Sequence, residues 1–176
     1  MILGAVLAGG QSSRFGSDKA LALLDGHTLI ARAVDALSGW CDHVVVVGRA
    51  TAPAPTLPDW PRAGMGPLSG IAAALNHALD EGYESVLTCS VDAFGLPENI
   101  VELLSPAPAY VMQQPVIGLW PARSAGTLQE LLLSDRKHSV FAFAEAIRAR
   151  PVKLLGEPAN INTAADLAAA EKRHGL

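Results

Sequence analysis

The chain has 176 residues, of which 50% are hydrophobic and 17% are charged, and its formal net charge at pH 7 is −4. This length is enough for one domain with a sizeable core, and the acidic balance argues against a protein that coats nucleic acid. Residues 1–9 are apolar but too short to span a bilayer, and they lack a basic leader and a clear cleavage site. We therefore expect a protein of the cytoplasm, without a nucleic-acid or membrane partner.

Strand-like and helix-like segments alternate along the chain. In chain order, the predicted strands cover 3–7, 44–47, 85–89, 110–112, 116–120 and 152–155. The first predicted helix is capped by Thr28 and continues through Leu37. Four more are predicted at 67–82, 97–104, 124–133 and 140–148. The last predicted helix is capped by Thr163 and ends near 174. The proline-rich stretch 51–61 is predicted to be a loop.

This alternation predicts a single three-layer α/β domain over residues 1–176, with helices on both faces of a mainly parallel central sheet. Ligands of such sheets bind beyond the carboxyl ends of the strands. Residues that directly follow a predicted strand are therefore the candidates for a functional site.

The loop after the first predicted strand carries the most informative motif, Leu-Ala-Gly-Gly-Gln-Ser-Ser-Arg-Phe-Gly-Ser-Asp-Lys-Ala at 7–20. Gly9 and Gly10 have no Cβ, so backbone N–H groups there can approach phosphate oxygens closely. Arg14 and Lys19 can add positive charge on either side. The spacing fits neither a Walker A motif nor a dinucleotide fingerprint. We interpret the motif as a polyphosphate-binding loop; the alternative is a glycine turn with solvated charges.

A single carboxylate, Asp92, follows the strand predicted at 85–89. Magnesium takes hard oxygen ligands, often one or two carboxylates together with phosphate oxygens and waters. Asp92 could therefore anchor a Mg²⁺ that a triphosphate already holds. A turn aspartate that caps the helix predicted at Pro97 explains the spacing equally well.

The segment 64–71, Gly-Met-Gly-Pro-Leu-Ser-Gly-Ile, places small residues at the start of a predicted helix. Small residues let the chain pass close to a flat base or a ribose, and a helix N-terminus carries partial positive charge. Tight packing of the helix on a strand also requires glycine, and both explanations stay open.

Near the C-terminus, Asn160 and Asn162 flank a single residue in Asn-Ile-Asn-Thr. Alternate residues of an extended segment point to one side, so two amides could face the same ligand. Asparagines at such a place also form turns and cap helices.

These motifs together resemble the molybdenum cofactor guanylyltransferase family, whose members are nucleotidyltransferases. The resemblance is carried by the loop at 7–20, the Gly-Pro-Leu-Ser-Gly segment at 66–70, Asp92 and the Asn-Ile-Asn-Thr ending. The chain departs from the family around Asp92, where Val91 replaces a cysteine and Gly95 is inserted. It also has Gly48-Arg49-Ala50 where relatives tend to have an asparagine, and we assign no base contact there.

The resemblance implies a Rossmann-like nucleotidyltransferase fold and the transfer of GMP from GTP to the phosphate of molybdopterin, with release of pyrophosphate. It implies that Asp92 binds Mg²⁺ and that Asn160 and Asn162 orient the acceptor. Relatives place a nucleotide-contacting aspartate before the Gly-Pro-Leu segment, and Asp59 is the only nearby acid here. The implied catalytic residues are Arg14, Lys19 and Asp92. The implied ligand-binding residues are Leu7, Ala8, Gly9, Gly10, Lys19, Asp59, Asp92, Asn160 and Asn162.

The expected partners are GTP and molybdopterin, with transient contact to proteins that make or accept the cofactor. Two alternatives stay open from the residues. One is a related nucleotidyltransferase that uses CTP or another phosphorylated acceptor. The other is a non-catalytic module that binds nucleotide or cofactor, which the altered loop around Asp92 would suit.

Overall fold

The computed structural model of the chain describes residues 1–9, 18–24, 26–91, 93–156, 159–160, 166 and 168–169, with the backbone alone at 93–94 and 159–160. Its strands are β1 (Ile2–Leu7), β2 (Leu23–Leu24), β3 (His27–Thr28), β4 (His43–Val47), β5 (Thr56–Leu57), β6 (Ser85–Ser90), β7 (Ala93–Phe94), β8 (Ala109–Val111), β9 (Gly118–Pro121), β10 (Arg150–Val152) and β11 (Ala159–Asn160). Its helices are α1 (Leu29–Ser38), α2 (Pro67–Glu81), α3 (Ile100–Leu104), α4 (Ala125–Leu132) and α5 (Val140–Ala146), with 3₁₀ turns at Lys19–Leu21 and Ala122–Ser124.

A seven-stranded sheet in the order β10-β8-β9-β6-β1-β4-β5 forms the centre of the described fold. β1 pairs in parallel with β4 and β6, β4 with β5, and β8 with β10. Only β9 runs against its neighbours β6 and β8 within this sheet. The α/β class with a mainly parallel central sheet is therefore confirmed.

The helices cover both faces of this sheet. Buried residues of α1 and α3 form one apolar cluster, and those of α2, α4 and α5 form another. Successive valines of β4 alternate between the two clusters, with Val46 in the first and Val45 and Val47 in the second. Both faces of β4 are thus buried, which is why its sequence is uniformly apolar.

Two helices, α1 and α2, begin as the sequence predicts. Thr28 caps α1, because its hydroxyl accepts a hydrogen bond from the N–H of Ala31 at 3.2 Å. α2 begins with Pro67 and ends before Gly82, which is left-handed with φ of 82°. Proline at the first position and glycine after the last are favourable at these places.

Several predicted boundaries are wrong. The stretch 51–61 is not entirely a loop, because β5 lies within it and extends the sheet beyond β4. An edge strand tolerates neighbouring prolines, since one of its sides needs no partner. α3 begins at Ile100 rather than at 97, and the strand expected at 152–155 is instead β10, Arg150–Val152.

Two short pairings were not predicted, the β2–β3 hairpin and the antiparallel pair of β7 with β11. Of the last predicted helix, Asp166, Ala168 and Ala169 are helical, while its expected cap, Thr163, lies outside the described residues. Within the described ranges, no helix has both the length and the apolar character needed to cross a bilayer.

Candidate active site

Three strands end side by side at one edge of the sheet. Leu7, the last residue of β1, pairs with Val47 of β4 on one side and with Ser90 of β6 on the other. The N–H of Ala8 then donates to the carbonyl of Val47 at 2.9 Å, which continues the ladder one residue further. Neighbouring strands lie about 4.8 Å apart, so the chain leaves β4, β1 and β6 within about 10 Å.

Gly9 and Gly48 lie backbone against backbone at this edge. A Cβ placed on Gly48 would lie 2.6 Å from the Cα of Gly9 and 2.8 Å from its nitrogen. Gly48 also has φ of 92°, a conformation that favours glycine. Its N–H donates to the carbonyl of Leu57 at 2.9 Å, so β5 helps to hold it. The beginning of the loop motif that follows β1 is therefore fixed against the end of β4.

The carboxyl group of Asp59 lies over these glycines. Its Oδ2 is 3.0 Å from the position that a Cβ of Gly9 would occupy and 3.3 Å from the corresponding position of Gly48. Its Oδ1 is 3.5 Å from the Cβ position of Gly70 in α2. The only acid near the Gly-Pro-Leu segment thus lies at the carboxyl edge, beside the motif that follows β1.

Partial burial raises the pKa of Asp59 above its usual value, and the neighbouring Ser69 hydroxyl opposes that shift. An ionised carboxyl group is costly to remove from water, so this position carries a free-energy cost in the folded protein. Such a cost is common where a side chain is placed to meet a ligand.

The first turn of α2 is held beside Asp59. The N–H of Trp60 donates to the carbonyl of Ser69 at 3.0 Å, and the Ser69 hydroxyl donates to the carbonyl of Gly66 at 2.7 Å. A Cβ on Gly70 would lie 3.0 Å from Leu7 Cδ2, so glycine favours close packing of α2 on β1 here. Gly66, with φ of 77°, is required by its backbone conformation instead. Packing thus explains the glycine at Gly70 and backbone conformation explains the one at Gly66. Contact of this segment with a nucleotide stays a prediction.

Lys19 opens a 3₁₀ turn that Asp18 caps. Asp18 Oδ1 accepts a hydrogen bond from the N–H of Ala20 at 3.2 Å. The guanidinium of Arg49 binds the same carboxylate with both ends, through Nη1 at 3.0 Å and Nη2 at 2.8 Å. This hydrogen bonding lowers the pKa of Asp18 and raises that of Arg49. Sequence reasoning assigned no role to Arg49, which is the second residue after β4.

Four of the predicted site residues lie outside the described residues: Gly10, Arg14, Asp92 and Asn162. Backbone pairing still relates two of the predicted motifs. Asn160 of β11 pairs with Ala93 of β7, the residue directly after Asp92. The Asn-Ile-Asn-Thr motif therefore begins beside the segment that follows β6, which sequence reasoning did not anticipate.

Oxygen ligands suited to a metal would come from Asp92, two residues beyond the end of β6. Across the described part of the chain, no group of three or more His, Cys, Asp or Glu side chains could hold a metal ion. Mg²⁺ needs no such cage, because it commonly takes one or two carboxylates and completes its shell with phosphate oxygens and water. A single carboxylate suits that chemistry, and the binding of Mg²⁺ by Asp92 stays a prediction.

Solved structures share this fold over nearly the whole chain. Molybdopterin-guanine dinucleotide biosynthesis protein A from Archaeoglobus fulgidus superposes with a TM-score of 0.74 and 22% identity, covering 99% of both chains. 4-Diphosphocytidyl-2C-methyl-D-erythritol synthase from Anaerococcus prevotii superposes with a TM-score of 0.69 and 13% identity, covering 99% of this chain and 96% of the other. At these identities the likeness concerns the fold.

Relatives identified by sequence share a higher identity with this chain than these solved structures do. The chain is 35% identical to the molybdenum cofactor guanylyltransferase of Rhizobium johnstonii, covering 97% of this chain and 92% of the relative. It is 36% identical to the protein of the same name from Rhodobacter capsulatus, covering 98% and 96%. The model of the MobA-like NTP transferase domain matches residues 4–152. The resemblance noted from the motifs is thus confirmed, and the chain belongs to the MobA-like NTP transferase family.

Proposed function

We propose that this protein transfers the GMP unit of GTP to the phosphate of molybdopterin, which forms a guanine dinucleotide cofactor and releases pyrophosphate. Relatives about 35% identical over nearly the full chain are named molybdenum cofactor guanylyltransferases. The observation that carries the proposal is the position of Asp59, at the carboxyl edge between Gly9, Gly48 and the first turns of α2.

Asp59 is the proposed guanine-binding residue. A carboxylate has two acceptor oxygens, and guanine presents N1–H and a 2-amino group as adjacent donors. Cytosine and adenine do not present that pair of donors to one carboxylate. The three glycines around Asp59 leave room for its carboxyl group at this edge, because a side chain on any of them would project toward that group.

The loop after β1 is the proposed site of the triphosphate. Gly9 starts it at a fixed place on the sheet, and the backbone N–H groups of Gly9 and Gly10 would bind phosphate oxygens. Arg14 and Lys19 would neutralise charge on the triphosphate and on the leaving pyrophosphate. Positioning and electrostatics of this kind supply most of the rate enhancement in phosphoryl-type transfers.

The reaction needs no strong general base, because the attacking phosphate of molybdopterin is already anionic. One of its oxygens forms a new bond to the α-phosphorus of GTP. The bond from that phosphorus to the bridging oxygen of the β-phosphate breaks, and the electron pair leaves with pyrophosphate. The protein's task is to bring two anionic groups together in line and to stabilise the charge on the leaving group.

Asp92 is the residue we propose to hold a divalent cation, Mg²⁺. When bound, Mg²⁺ would offset phosphate charge and make the α-phosphorus more electrophilic. Asn160 and Asn162 are proposed to orient the acceptor with their amides. The pairing of β11 with β7 supports this assignment, because it places the backbone of Asn160 opposite the neighbour of Asp92.

GTP and molybdopterin are the proposed partners, with transient contacts to the proteins that supply or receive the cofactor. The proposed location is the cytoplasm, where nucleoside triphosphates are abundant.

The experiment is pyrophosphate release from GTP, CTP, ATP and UTP, each with and without molybdopterin. The proposal predicts release that requires both GTP and molybdopterin. Faster release with CTP would assign the protein to cytidylyl transfer. GTP binding without any release would support the non-catalytic alternative and would overturn the proposal.

A further inference from the structure

Two consecutive residues at the end of β4 hold both flanks of the polyphosphate-binding motif. Gly48 packs on Gly9, the last described residue before the interval 10–17. Arg49 binds Asp18, the first described residue after it. One dipeptide therefore contacts both Gly9 and Asp18, although these two residues lie nine positions apart in the chain.

The geometry of the Arg49–Asp18 contact fixes both the distance between the two side chains and their relative orientation. Two parallel hydrogen bonds, at 3.0 and 2.8 Å, join the planar guanidinium to both carboxylate oxygens. A lysine could not reproduce this fork, because its ammonium group is a point donor. The Arg49 side chain is only 20% exposed, so its range of positions is limited. It extends from the second residue after a central strand.

Asp18 in turn holds the backbone of the residues that follow it. Its Oδ1 also accepts from the N–H of Ala20, and its carbonyl accepts from the N–H of Leu21 at 3.1 Å. Ala20 is 3% exposed and belongs to the apolar cluster under α1. The backbone of Lys19 is therefore held between an ion pair on one side and a buried residue on the other.

We infer that Arg49 is a positioning residue for GMP transfer, which acts by holding Asp18, and hence the backbone of Lys19, against the carboxyl end of β4. The inference rests on the proposed function. It gives a role to a residue at the place where relatives tend to have an asparagine. Both terminal nitrogens of Arg49 are engaged by Asp18, so its effect on the nucleotide is indirect.

The expected consequence is a change in GTP binding rather than in folding. Ion pairs at the protein surface contribute little to global stability, and Asp18 is 44% exposed, so a protein without this pair should fold normally. Without it, the turn at Lys19 would occupy its binding-competent position for a smaller fraction of the time. The apparent affinity for GTP falls in proportion to that fraction, and we expect KM for GTP to rise about tenfold with a smaller change in kcat.

A double-mutant cycle tests the inference. Arg49→Ala and Asp18→Asn are made singly and together, with Arg49→Lys as the conservative variant. Arg123→Ala is the matched control, because that exposed arginine follows β9, whose Pro121 pairs with Ser85 at the opposite edge of the sheet. KM and kcat for GTP are measured for each protein, together with hydrogen exchange at the amides of Ala20, Leu21 and Ala22.

The inference predicts that Arg49→Ala raises KM about tenfold in the wild-type background but less than about twofold beside Asp18→Asn, since the two residues act as a unit. The three amides should exchange faster in Arg49→Ala, Arg49→Lys should restore part of the affinity, and Arg123→Ala should leave KM unchanged. An equal loss of affinity for GTP in both backgrounds would show that Arg49 contacts the nucleotide directly, and it would overturn the inference. An unchanged KM or unchanged amide exchange in Arg49→Ala would overturn it too. A wild-type protein that releases no pyrophosphate from GTP would refute the proposed function as well, whereas an active wild type with an additive cycle would refute this inference alone.

Discussion

Gly48 packs so closely on Gly9 that a side chain on Gly48 would meet the neighbouring backbone, with only 2.6 Å from its Cβ to the Cα of Gly9. A contact between two backbones cannot relax through a change of rotamer. The pair therefore sets the distance between the ends of β1 and β4, and Asp59 lies directly over it. The proposed nucleotide site is built on this contact.

Gly48→Ala should destabilise the protein and weaken GTP binding. The new Cβ would clash with Gly9, and alanine would be strained at φ of 92°. We expect a loss of about 1–3 kcal/mol in the free energy of unfolding, measured by urea denaturation.

Gly126→Ala is the control for this variant. Gly126 lies in α4, with open space around the position of a Cβ, so alanine there should be neutral or stabilising by up to about 1 kcal/mol. Equal stabilities of the two variants would contradict the importance of the Gly48–Gly9 contact.

Asp59→Asn should separate stability from activity. The pKa of Asp59 is raised in the folded protein. Below the unfolded pKa of about 3.9, wild type therefore has its full stability relative to the variant, and it loses that stability as pH rises through the folded pKa. The variant should therefore melt at the same or a higher temperature than wild type at pH 7. Thermal melting from pH 4 to pH 8 checks this, and a lower melting temperature for the variant at pH 7 would contradict it.

The same substitution should reduce kcat/KM for GTP about 100-fold, because asparagine keeps one acceptor oxygen but replaces the other with an NH2 donor, so one charge-assisted hydrogen bond of about 1.5–3 kcal/mol to guanine is lost. In wild type, KM for GTP should rise as pH falls through the pKa of Asp59, since protonation removes an acceptor. An unchanged kcat/KM would remove Asp59 from guanine recognition.

Lys19→Ala should reduce kcat by about 10²–10³, the usual cost of removing a donor that acts on charge in the transition state. Far-UV circular dichroism should show an intact fold. Lys153→Ala is the matched control, because Lys153 is exposed and follows β10 at the far side of the sheet from β5. Near-normal turnover of Lys19→Ala would exclude this lysine from the mechanism.

Asp92→Ala should raise the Mg²⁺ concentration needed for half-maximal rate, with the greatest loss of activity at low Mg²⁺. Titration of Mg²⁺ at fixed GTP measures this requirement. Asp80→Ala is the comparison, because Asp80 is an exposed carboxylate near the last turn of α2. If Asp92→Ala and Asp80→Ala followed the same Mg²⁺ curve as wild type, the metal assignment would be wrong.

The long elements could be predicted because their signals are local. Four valines identify β4, and Pro67 and Gly82 bound α2 correctly. The two-residue strands could not, since β5 and β11 are too short for a periodic pattern and exist only through pairing with distant partners.

In the candidate site, too, features with a local signal could be predicted and contacts between distant residues could not. The loop motif located Gly9 and Lys19 from a contiguous pattern, whereas Asp59 could be matched only as the nearest acid. Its actual place depends on β5, which leads the chain along β4 to the carboxyl edge. The Arg49–Asp18 pair joins residues 31 positions apart, and nothing local in the sequence indicates it.

The most direct test of the central claim follows the phosphorus atoms of GTP in a reaction with purified protein, Mg²⁺ and molybdopterin. With label in the α-phosphate, the account predicts that the label appears in GMP joined to the phosphate of molybdopterin, while γ-phosphate label appears in pyrophosphate. Recovery of the α-label as free GMP, or only as unreacted GTP, would contradict it.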